Sequence, residues 1–327
     1  MRIINTIRCI ISYLLSLVGI VRVRHLPTFV SVEPANYCQL RCPECPVGMR
    51  MGNDALKTRH EKGVMTMEMF EHILHQIASH AHTLQFYFQG EPLLNKQLSE
   101  MIAKAHQAKL YTIVSTNAQA LTRPIAEALV KSGLNRIIVS IDGFSEQSYA
   151  AYRVGGNLHR ALEGLSFLSE AREQYRSSIC IELQVLRLRT NEHEWQWIKR
   201  NYRQLGATRL VFKTAQLYNY THGHPLMTTN AQYSRYRRAE DGTYHLHRSW
   251  LRRHWWNTPC YRLWAGCVIT TEGKVLPCCY DKTGSYAFGT LQQDSLATIW
   301  HDKKADSFRH HVLRSSNDLS ICQECNH

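Results

Sequence analysis

Segments of strand length and segments with helical spacing alternate along most of this chain, and no other feature constrains its fold as strongly. Six apolar runs read as strands, and helical patterns separate them. The predicted strands are 28–33, 83–88, 110–115, 136–141, 179–186 and 209–213, and the predicted helices are 66–80, 95–108, 122–132, 158–175 and 192–205. This order predicts an α/β fold, a parallel sheet with right-handed crossovers that forms a partial (β/α)6 barrel. Functional residues are then expected in the loops at the carboxyl ends of the strands.

Three cysteines lie in the loop after the first predicted strand. Cys38, Cys42 and Cys45 form a C-x3-C-x2-C triplet. Three thiolates can hold a [4Fe-4S] cluster and leave one iron open for a small molecule, whereas electron-carrying clusters use four cysteines. Zinc is the competing interpretation, but zinc sites usually show C-x2-C pairs with a fourth ligand nearby, and none follows Cys45 closely.

The triplet resembles the signature of the radical S-adenosylmethionine (SAM) enzymes. The resemblance implies that the open iron binds SAM and that SAM is cleaved to a 5′-deoxyadenosyl radical, which abstracts a hydrogen atom from substrate. It also implies a reducing partner such as flavodoxin or ferredoxin. The family often has an aromatic residue before the last cysteine, where this chain has Glu44.

Other segments at strand ends resemble the SAM-binding motifs of the same family. Gln89-Gly90-Glu91-Pro92 is similar to the G-G-E-P motif, with Gln89 in place of the first glycine. These residue types also serve ordinary turns. The resemblance implies further SAM contacts at Thr116, Asn117, Ser140 and Arg153. Candidate substrate or proton-transfer residues are Gln184, Lys213, Cys279 and Asp281.

A second group of cysteines occupies residues 260–327, where residues 273–278 are predicted as a strand of a hairpin and residues 294–314 as one helix. The set Cys260, Cys278, Cys322 and Cys325 resembles the shortened SPASM, or twitch, domain, which implies an auxiliary [4Fe-4S] cluster. Cys279 is an alternative to Cys278, Cys267 has no assigned role, and a zinc ribbon is the competing interpretation. The resemblance divides the chain into a helix (1–26), a barrel (27–214), a partly helical bridge or lid (215–259) and an auxiliary cluster domain (260–327).

Apolar residues at helical spacing between Ile3 and Val21 predict an amphipathic N-terminal helix. Its apolar run is shorter than the roughly 20 residues that cross a bilayer. Two interpretations are open: the helix packs on the barrel, or its arginines meet anionic lipid at the membrane surface. The clustered cysteines favour a reducing cytoplasm, and the second interpretation would bring the chain to the inner membrane face.

Three classes of function fit these features. The first is an oxidoreductase of the radical SAM type that acts on a small polar or carbohydrate-like substrate, with the auxiliary cluster as electron acceptor or substrate anchor. The close alternative is maturation of a ribosomally made peptide by crosslinking, epimerisation or oxidation. The net charge of +13 and the Arg/aromatic stretch 235–256 favour RNA binding or modification, but the cysteine-rich C-terminal domain argues against a nucleic acid partner.

Overall fold

The computed structural model describes residues 1–49, 63–247, 259–323 and 325. Its strands are β1 (Phe29–Val32), β2 (Thr83–Phe86), β3 (Tyr111–Thr116), β4 (Arg136–Ser140), β5 (Cys180–Arg187), β6 (Arg209–Thr214), β7 (Tyr236–Arg238), β8 (Tyr244–Leu246), β9 (Gly266–Ile269), β10 (Lys274–Leu276) and β11 (Gly289–Thr290). Its α-helices are α1 (Arg2–Leu17), α2 (Pro46–Met49), α3 (Met67–Ile77), α4 (Leu98–Gln107), α5 (Arg123–Lys131), α6 (Glu146–Tyr152), α7 (Leu158–Gln174), α8 (Trp195–Asn201), α9 (Tyr261–Ala265), α10 (Leu296–His301), α11 (Lys303–Ser315) and α12 (Ser320–Gln323).

The barrel strands lie side by side in chain order. β1 to β6 form a continuous series of parallel pairs. Helices connect them, as crossovers between parallel strands require. This arrangement confirms the predicted α/β fold and the partial barrel.

Local sequence explains why these elements form. β4 is almost continuously apolar and buried, as is usual for a parallel strand covered on both faces. α3 begins at Thr66, whose hydroxyl accepts a hydrogen bond from the amide of Met69, and it buries Phe70, Ile73 and Ile77 against the sheet. The core thus lies between the sheet and its outer helices.

The C-terminal unit extends the barrel sheet beyond β1. β9 pairs with β1 in parallel, with Phe29 opposite Gly266, and β10 and β11 follow in antiparallel order. This covers the otherwise open edge of β1. The sequence predicts β10 as part of a hairpin but does not predict β9.

The described part of the bridge contains a short antiparallel hairpin, β7–β8, and no α-helix. Residues 248–258, with Trp250, Trp255 and Trp256, lie outside the described residues, so the partly helical bridge stays a prediction. The single helix predicted over 294–314 is two helices, because the Asp302 carboxylate accepts a hydrogen bond from the amide of Lys304 and starts α11.

The predicted N-terminal helix is present as α1, and it packs against the end of the barrel where the strands begin. The guanidinium of Arg2 donates hydrogen bonds to the carbonyls of Ala78 and Lys109, which precede β2 and β3. Asn5 exchanges hydrogen bonds with the backbone of Leu26, which precedes β1. In the described residues, no helix combines the length and the apolar character that crossing a membrane requires.

Candidate functional site

The loop after β1 holds the cysteine triplet in a compact fold. The Cys45 amide donates to the carbonyl of Cys42 at 3.2 Å, and α2 follows directly. A Cβ added at Gly48 would lie 2.3 Å from the carbonyl oxygen of Cys42, so the chain can close on itself here only with glycine. Two donors reach the sulfur of Cys38 at 3.3 Å, the Leu40 amide and the side-chain amide of Asn117.

The three thiols share an apolar, electrostatically coupled environment. Burial, with smaller contributions from the neighbouring cysteines, raises the pKa of Cys38 to about 12 and that of Cys42 to about 11. The surrounding side chains are those of Leu40, Tyr152, Leu188, Leu217, Leu226, Met227 and Tyr236. Thiols buried in this way need a bound cation to become thiolates. Three cysteines surrounded by apolar side chains therefore fit an iron-sulfur cluster. In the part of the chain that is described, no three His, Cys, Asp or Glu side chains are already close enough together to hold a metal ion.

Gly90 brings the motif after β2 against the cysteine loop. Its φ is +69°, and an added Cβ would lie 2.3 Å from the carbonyl oxygen of Ala35. The amide of Glu91 donates to the carbonyl of Tyr37 at 2.8 Å. Any side chain at residue 90 would separate the two loops, so the glycine is required for their contact.

Glu91 connects the ends of β2 and β3. Its buried carboxylate accepts hydrogen bonds from the hydroxyl of Thr116 at 2.6 Å, the amide of Asn117 at 2.8 Å and the amide of Leu93 at 3.2 Å. Burial raises the pKa of Glu91, and these hydrogen bonds oppose that shift. Through Asn117 the same network reaches the sulfur of Cys38. Three of the predicted SAM-binding residues thus form one rigid group beside the triplet.

The half-buried side chain of Arg153 lies close to Cys42 and pairs with Asp142. Its Nη2 lies 2.6 Å from a carboxylate oxygen of Asp142, and this charge, with that of Cys42, holds the pKa of Arg153 above its ordinary value despite burial. Its Nε is buried and has no hydrogen-bond partner among the described residues. A free donor of this kind fits a carboxylate ligand such as that of SAM. Ser140, at the end of β4, is also buried and lies in register with Gln184 on β5.

Glu44 has a role that the sequence did not indicate. One carboxylate oxygen accepts a hydrogen bond from the amide of Tyr218 at 2.6 Å, and the other lies 3.2 Å from Nε2 of His224. Glu44 therefore fastens the cysteine loop to the segment after β6. The hairpin that continues this segment packs there too, because Tyr236 belongs to the apolar cluster around Cys42.

The cysteines of the C-terminal unit also come together. Burial raises the pKa of Cys278, and the charges of Cys279, Cys260 and Cys322 raise it further. Cys325 acts in the same way on the neighbouring Tyr280. The sulfur of Cys278 accepts a hydrogen bond from the amide of Tyr280, whereas that of Cys279 accepts one from the guanidinium of Arg262. All four predicted auxiliary ligands thus lie in one region, together with Cys279.

A cavity of about 620 Å³ lies inside the barrel and reaches this second cysteine group. Inward-facing side chains of β1 to β4 line it, and the C-terminal unit contributes the opposite wall. The lining residues used below are Gln85, Tyr87, Arg136, Arg262, Cys278, Cys279 and Lys282. Sequence reasoning missed Tyr87, Arg136 and Arg262. The alternation of side chains along β2 could have pointed to Tyr87, because Gln85 and Tyr87 alternate with the buried Leu84 and Phe86 and therefore face the other side of the sheet.

The remaining predicted residues lie in different environments. Cys279 borders the cavity. Asp281 is fully buried, and its two carboxylate oxygens accept hydrogen bonds from the amides of Ser285 and Tyr286. Gln184 is half-buried on β5, and Lys213 is exposed on β6. Gln89 donates a hydrogen bond to the carbonyl of Lys282 at 2.8 Å, so it connects the rim of the barrel to the C-terminal unit.

Comparison with known protein families agrees with this geometry. Residues 32–183 match the Radical SAM superfamily, and residues 260–326 match the SPASM iron-sulfur cluster-binding domain. The chain is a radical SAM enzyme with a C-terminal SPASM domain. Its cofactors are accordingly SAM and [4Fe-4S] clusters.

Several characterised proteins resemble this radical SAM enzyme. The PqqA peptide cyclase of Rhizobium meliloti (strain 1021) is 25% identical over 297 residues, which cover 85% of this chain and 75% of the cyclase. The AdoMet-dependent heme synthase of Methanosarcina barkeri is 27% identical over 146 residues, covering 44% of this chain and 40% of that protein.

Solved structures show the same fold. BtrN in complex with AdoMet and 2-DOIA has a TM-score of 0.55 at 20% identity, covering 92% of this chain and 94% of BtrN. Streptococcus suis SuiB bound to S-adenosylmethionine has a TM-score of 0.64 at 14% identity, covering 92% of this chain and 72% of SuiB.

Proposed function

We propose that this radical SAM enzyme modifies a ribosomally made peptide. The observation that carries the proposal is the similarity to PqqA peptide cyclases across the barrel and the SPASM domain. The cyclase of Granulibacter bethesdensis is 25% identical over 294 residues, which cover 84% of this chain and 74% of that protein. These relatives favour a peptide over the carbohydrate-like substrate that we expected from the sequence.

In this proposal the SAM-cleaving cluster and SAM bind at the rim of the barrel where the strands end. Cys38, Cys42 and Cys45 hold the cluster, and the free Nε of Arg153 receives the SAM carboxylate. When bound there, the cluster and SAM would supply the radical chemistry that removes a hydrogen atom from the substrate. A protein such as flavodoxin or ferredoxin is the proposed electron donor.

The barrel cavity is the proposed site for the reacting part of the peptide. Its volume lies in the usual range of ligand pockets, roughly 300–1,000 Å³. Arg136, Arg262 and Lys282 line it, and none of its lining residues is acidic. Glu182 pairs with both Arg136 and Arg209, so this group keeps a net positive charge. A carboxylate side chain of the peptide would complement these charges.

The second cysteine group borders the same cavity through Cys278 and Cys279. An auxiliary cluster held by Cys260, Cys278, Cys322 and Cys325 would lie next to the substrate. It could then accept an electron from the substrate or hold it in place.

The test is co-expression, under anaerobic conditions, of the chain with each short reading frame encoded beside its gene. Mass spectrometry of the peptide should show the loss of two hydrogen atoms after crosslinking or oxidation, or uptake of one deuterium from D2O after epimerisation. The Cys42→Ala variant should leave every peptide unchanged. If the native chain also leaves all of them unchanged, although it cleaves SAM under reducing conditions, the peptide assignment is wrong.

A small polar substrate is the second candidate. One observation favours it: this chain and the BtrN structure cover each other almost completely, 92% and 94%. Incubation with amino-sugar alcohols, SAM and dithionite would distinguish the two. Substrate-dependent formation of 5′-deoxyadenosine with such an alcohol, and none with peptides, would favour the second candidate.

A further inference from the structure

Helix α1 packs against its own protein with its polar side. Cys9, Ser12 and Ser16 are at most 2% exposed. The hydroxyl of Ser12 lies 3.1 Å from Nδ1 of the buried His25, and Asn5 bonds to the backbone of Leu26. A surface helix of a globular protein normally turns its apolar stripe to the core and its polar face to water. The orientation of α1 is the reverse.

The outward face of α1 is a continuous apolar stripe. The isoleucines and leucine that form it are between 46% and 73% exposed: Ile3, Ile4, Ile7, Ile10, Ile11 and Leu14. An exposed apolar patch of this kind marks a surface that binds another apolar body. Single exposed apolar residues are common, but a stripe at helical spacing over about three turns is not.

Positive charge borders this apolar stripe. Arg8, Arg22 and Arg24 are exposed, and together with Ile11 and Leu15 they line a cavity of about 380 Å³. None of the three makes a hydrogen bond or an ion pair with the described part of the chain. The first 32 residues contain no Asp or Glu. Guanidinium groups above an apolar layer complement phosphate head groups above acyl chains.

We propose that α1 lies in the surface of an anionic phospholipid bilayer, with its apolar stripe among the acyl chains and Arg8, Arg22 and Arg24 among the phosphates. The helix has 16 residues, about 24 Å, which suits a helix in the plane of the interface. Tyr111 and Tyr261 are exposed at the same end of the barrel, and tyrosine is enriched at membrane interfaces.

This placement fixes the orientation of the molecule. α1 lies at the end of the barrel where the strands begin, and there Arg2 donates hydrogen bonds to backbone carbonyls that precede β2 and β3. The cysteine triplet follows the opposite end of β1. The barrel would therefore stand with its strand beginnings toward the lipid and its SAM-binding rim away from it.

Vesicle flotation with the full-length, reconstituted protein tests the proposal. We expect binding to vesicles of phosphatidylglycerol and phosphatidylcholine, and much weaker binding to phosphatidylcholine alone. Replacing Arg8, Arg22 and Arg24 with Gln should weaken binding to the anionic vesicles by roughly a hundredfold, since each arginine near such a surface contributes about fivefold. The double variant Ile7→Ser, Leu14→Ser should lose binding at any lipid composition.

Matched variants control for charge and for exposed apolar surface elsewhere. Lys199, Arg200 and Arg203 are exposed on α8 and the turn after it, and their replacement with Gln removes the same charge. Trp197→Ser removes one exposed apolar side chain, 48% exposed, from α8. Both control proteins should bind like the native chain. Circular dichroism and iron content must match the native values in every variant that is compared.

Three results would overturn the proposal. The first is equal binding of the native chain to both vesicle types, and the second is vesicle binding that the α1 variants and the α8 variants reduce alike. The third is a native dimer in light scattering that the double variant Ile7→Ser, Leu14→Ser dissociates, with no vesicle binding. That result would make the apolar stripe an interface between two copies of the chain.

Discussion

At the scale of single residues, the C-terminal unit has six cysteines, and five of them lie in one region that needs four cluster ligands; the sixth, Cys267, is buried on β9. Cys278 and Cys279 are adjacent, but their sulfurs have different neighbours. The Cys278 thiol is affected by the charges of Cys260 and Cys322, whereas the Cys279 sulfur accepts a hydrogen bond from Arg262. Both border the cavity, and we propose that Cys278 is the ligand of the auxiliary cluster and that Cys279 is not.

The assignment predicts different effects for two nearly identical substitutions. Cys278→Ser should lower the iron content of the reconstituted protein from about eight to about four atoms per chain, since one of two [4Fe-4S] clusters is lost. Cys279→Ser should keep both clusters, and any loss should appear in substrate turnover. Iron and sulfide analysis of both purified variants is the measurement. Equal iron loss in the two variants would show that either cysteine can serve as ligand.

Residues with local partners could be predicted from the sequence, and residues with distant partners could not. The triplet was recognisable because its spacing is contained in eight residues, from Cys38 to Cys45. Glu44 and Gln89 look like departures from motifs until the fold brings Tyr218 and Lys282 to them. Contacts of this kind depend on chain topology, which a motif does not contain.

At the scale of elements, strong periodic patterns gave correct strands and helices, and short elements were missed. The six barrel strands and the helices between them lie within a few residues of their predicted limits, apart from the short helices α2 and α6, which were not predicted. β9 has only four residues, and its partner β1 lies at the other end of the chain. β1 and β2 are equally short, but they belong to the alternation of strands and helices, which β9 does not continue.

The contact between α1 and the C-terminal unit depends on a neutral histidine. Nε2 of His25 lies 2.7 Å from the carbonyl of Trp264 in α9, and Nδ1 lies 3.1 Å from the Ser12 hydroxyl of α1. Burial, with smaller contributions from the charges of Arg309 and His301, lowers the pKa of His25 from 6.5 to about 4. Folding therefore keeps His25 neutral at pH values where the unfolded chain would protonate it.

Stability should consequently fall as the pH decreases from about 6.5 to about 4, the window between the unfolded and folded pKa values. Within this window the unfolded state binds a proton that the folded state does not, and the total loss is about 3 kcal/mol. Urea unfolding of the native chain and of His25→Gln, measured at several pH values, isolates this residue from the other titrating groups. The variant should be less stable at pH 7 but should lose less stability on acidification. Parallel pH profiles would show that His25 is not responsible.

At the scale of the whole molecule, one continuous sheet joins the barrel to the SPASM domain. β9 pairs with β1 on one edge and with β10 on the other. The cavity lies between the two parts, with walls from both. The hydrogen bond from Gln89 to Lys282 is a second connection. A substrate in the cavity would thus contact two domains that the sheet holds in fixed positions.

A shared sheet predicts that the two parts unfold together. Val268 lies in the middle of β9, and Val268→Pro removes an amide donor from a strand that is paired on both edges, which leaves a buried acceptor unpaired at a cost of about 1–3 kcal/mol. Val268→Ala keeps the donor and removes only side-chain packing. Hydrogen exchange measured by mass spectrometry should show the proline variant losing protection equally in β3, β4 and α10, and the alanine variant losing much less. If protection in β3 and β4 stayed native while α10 exchanged freely, the SPASM domain would unfold independently, and the sheet would not couple the two parts.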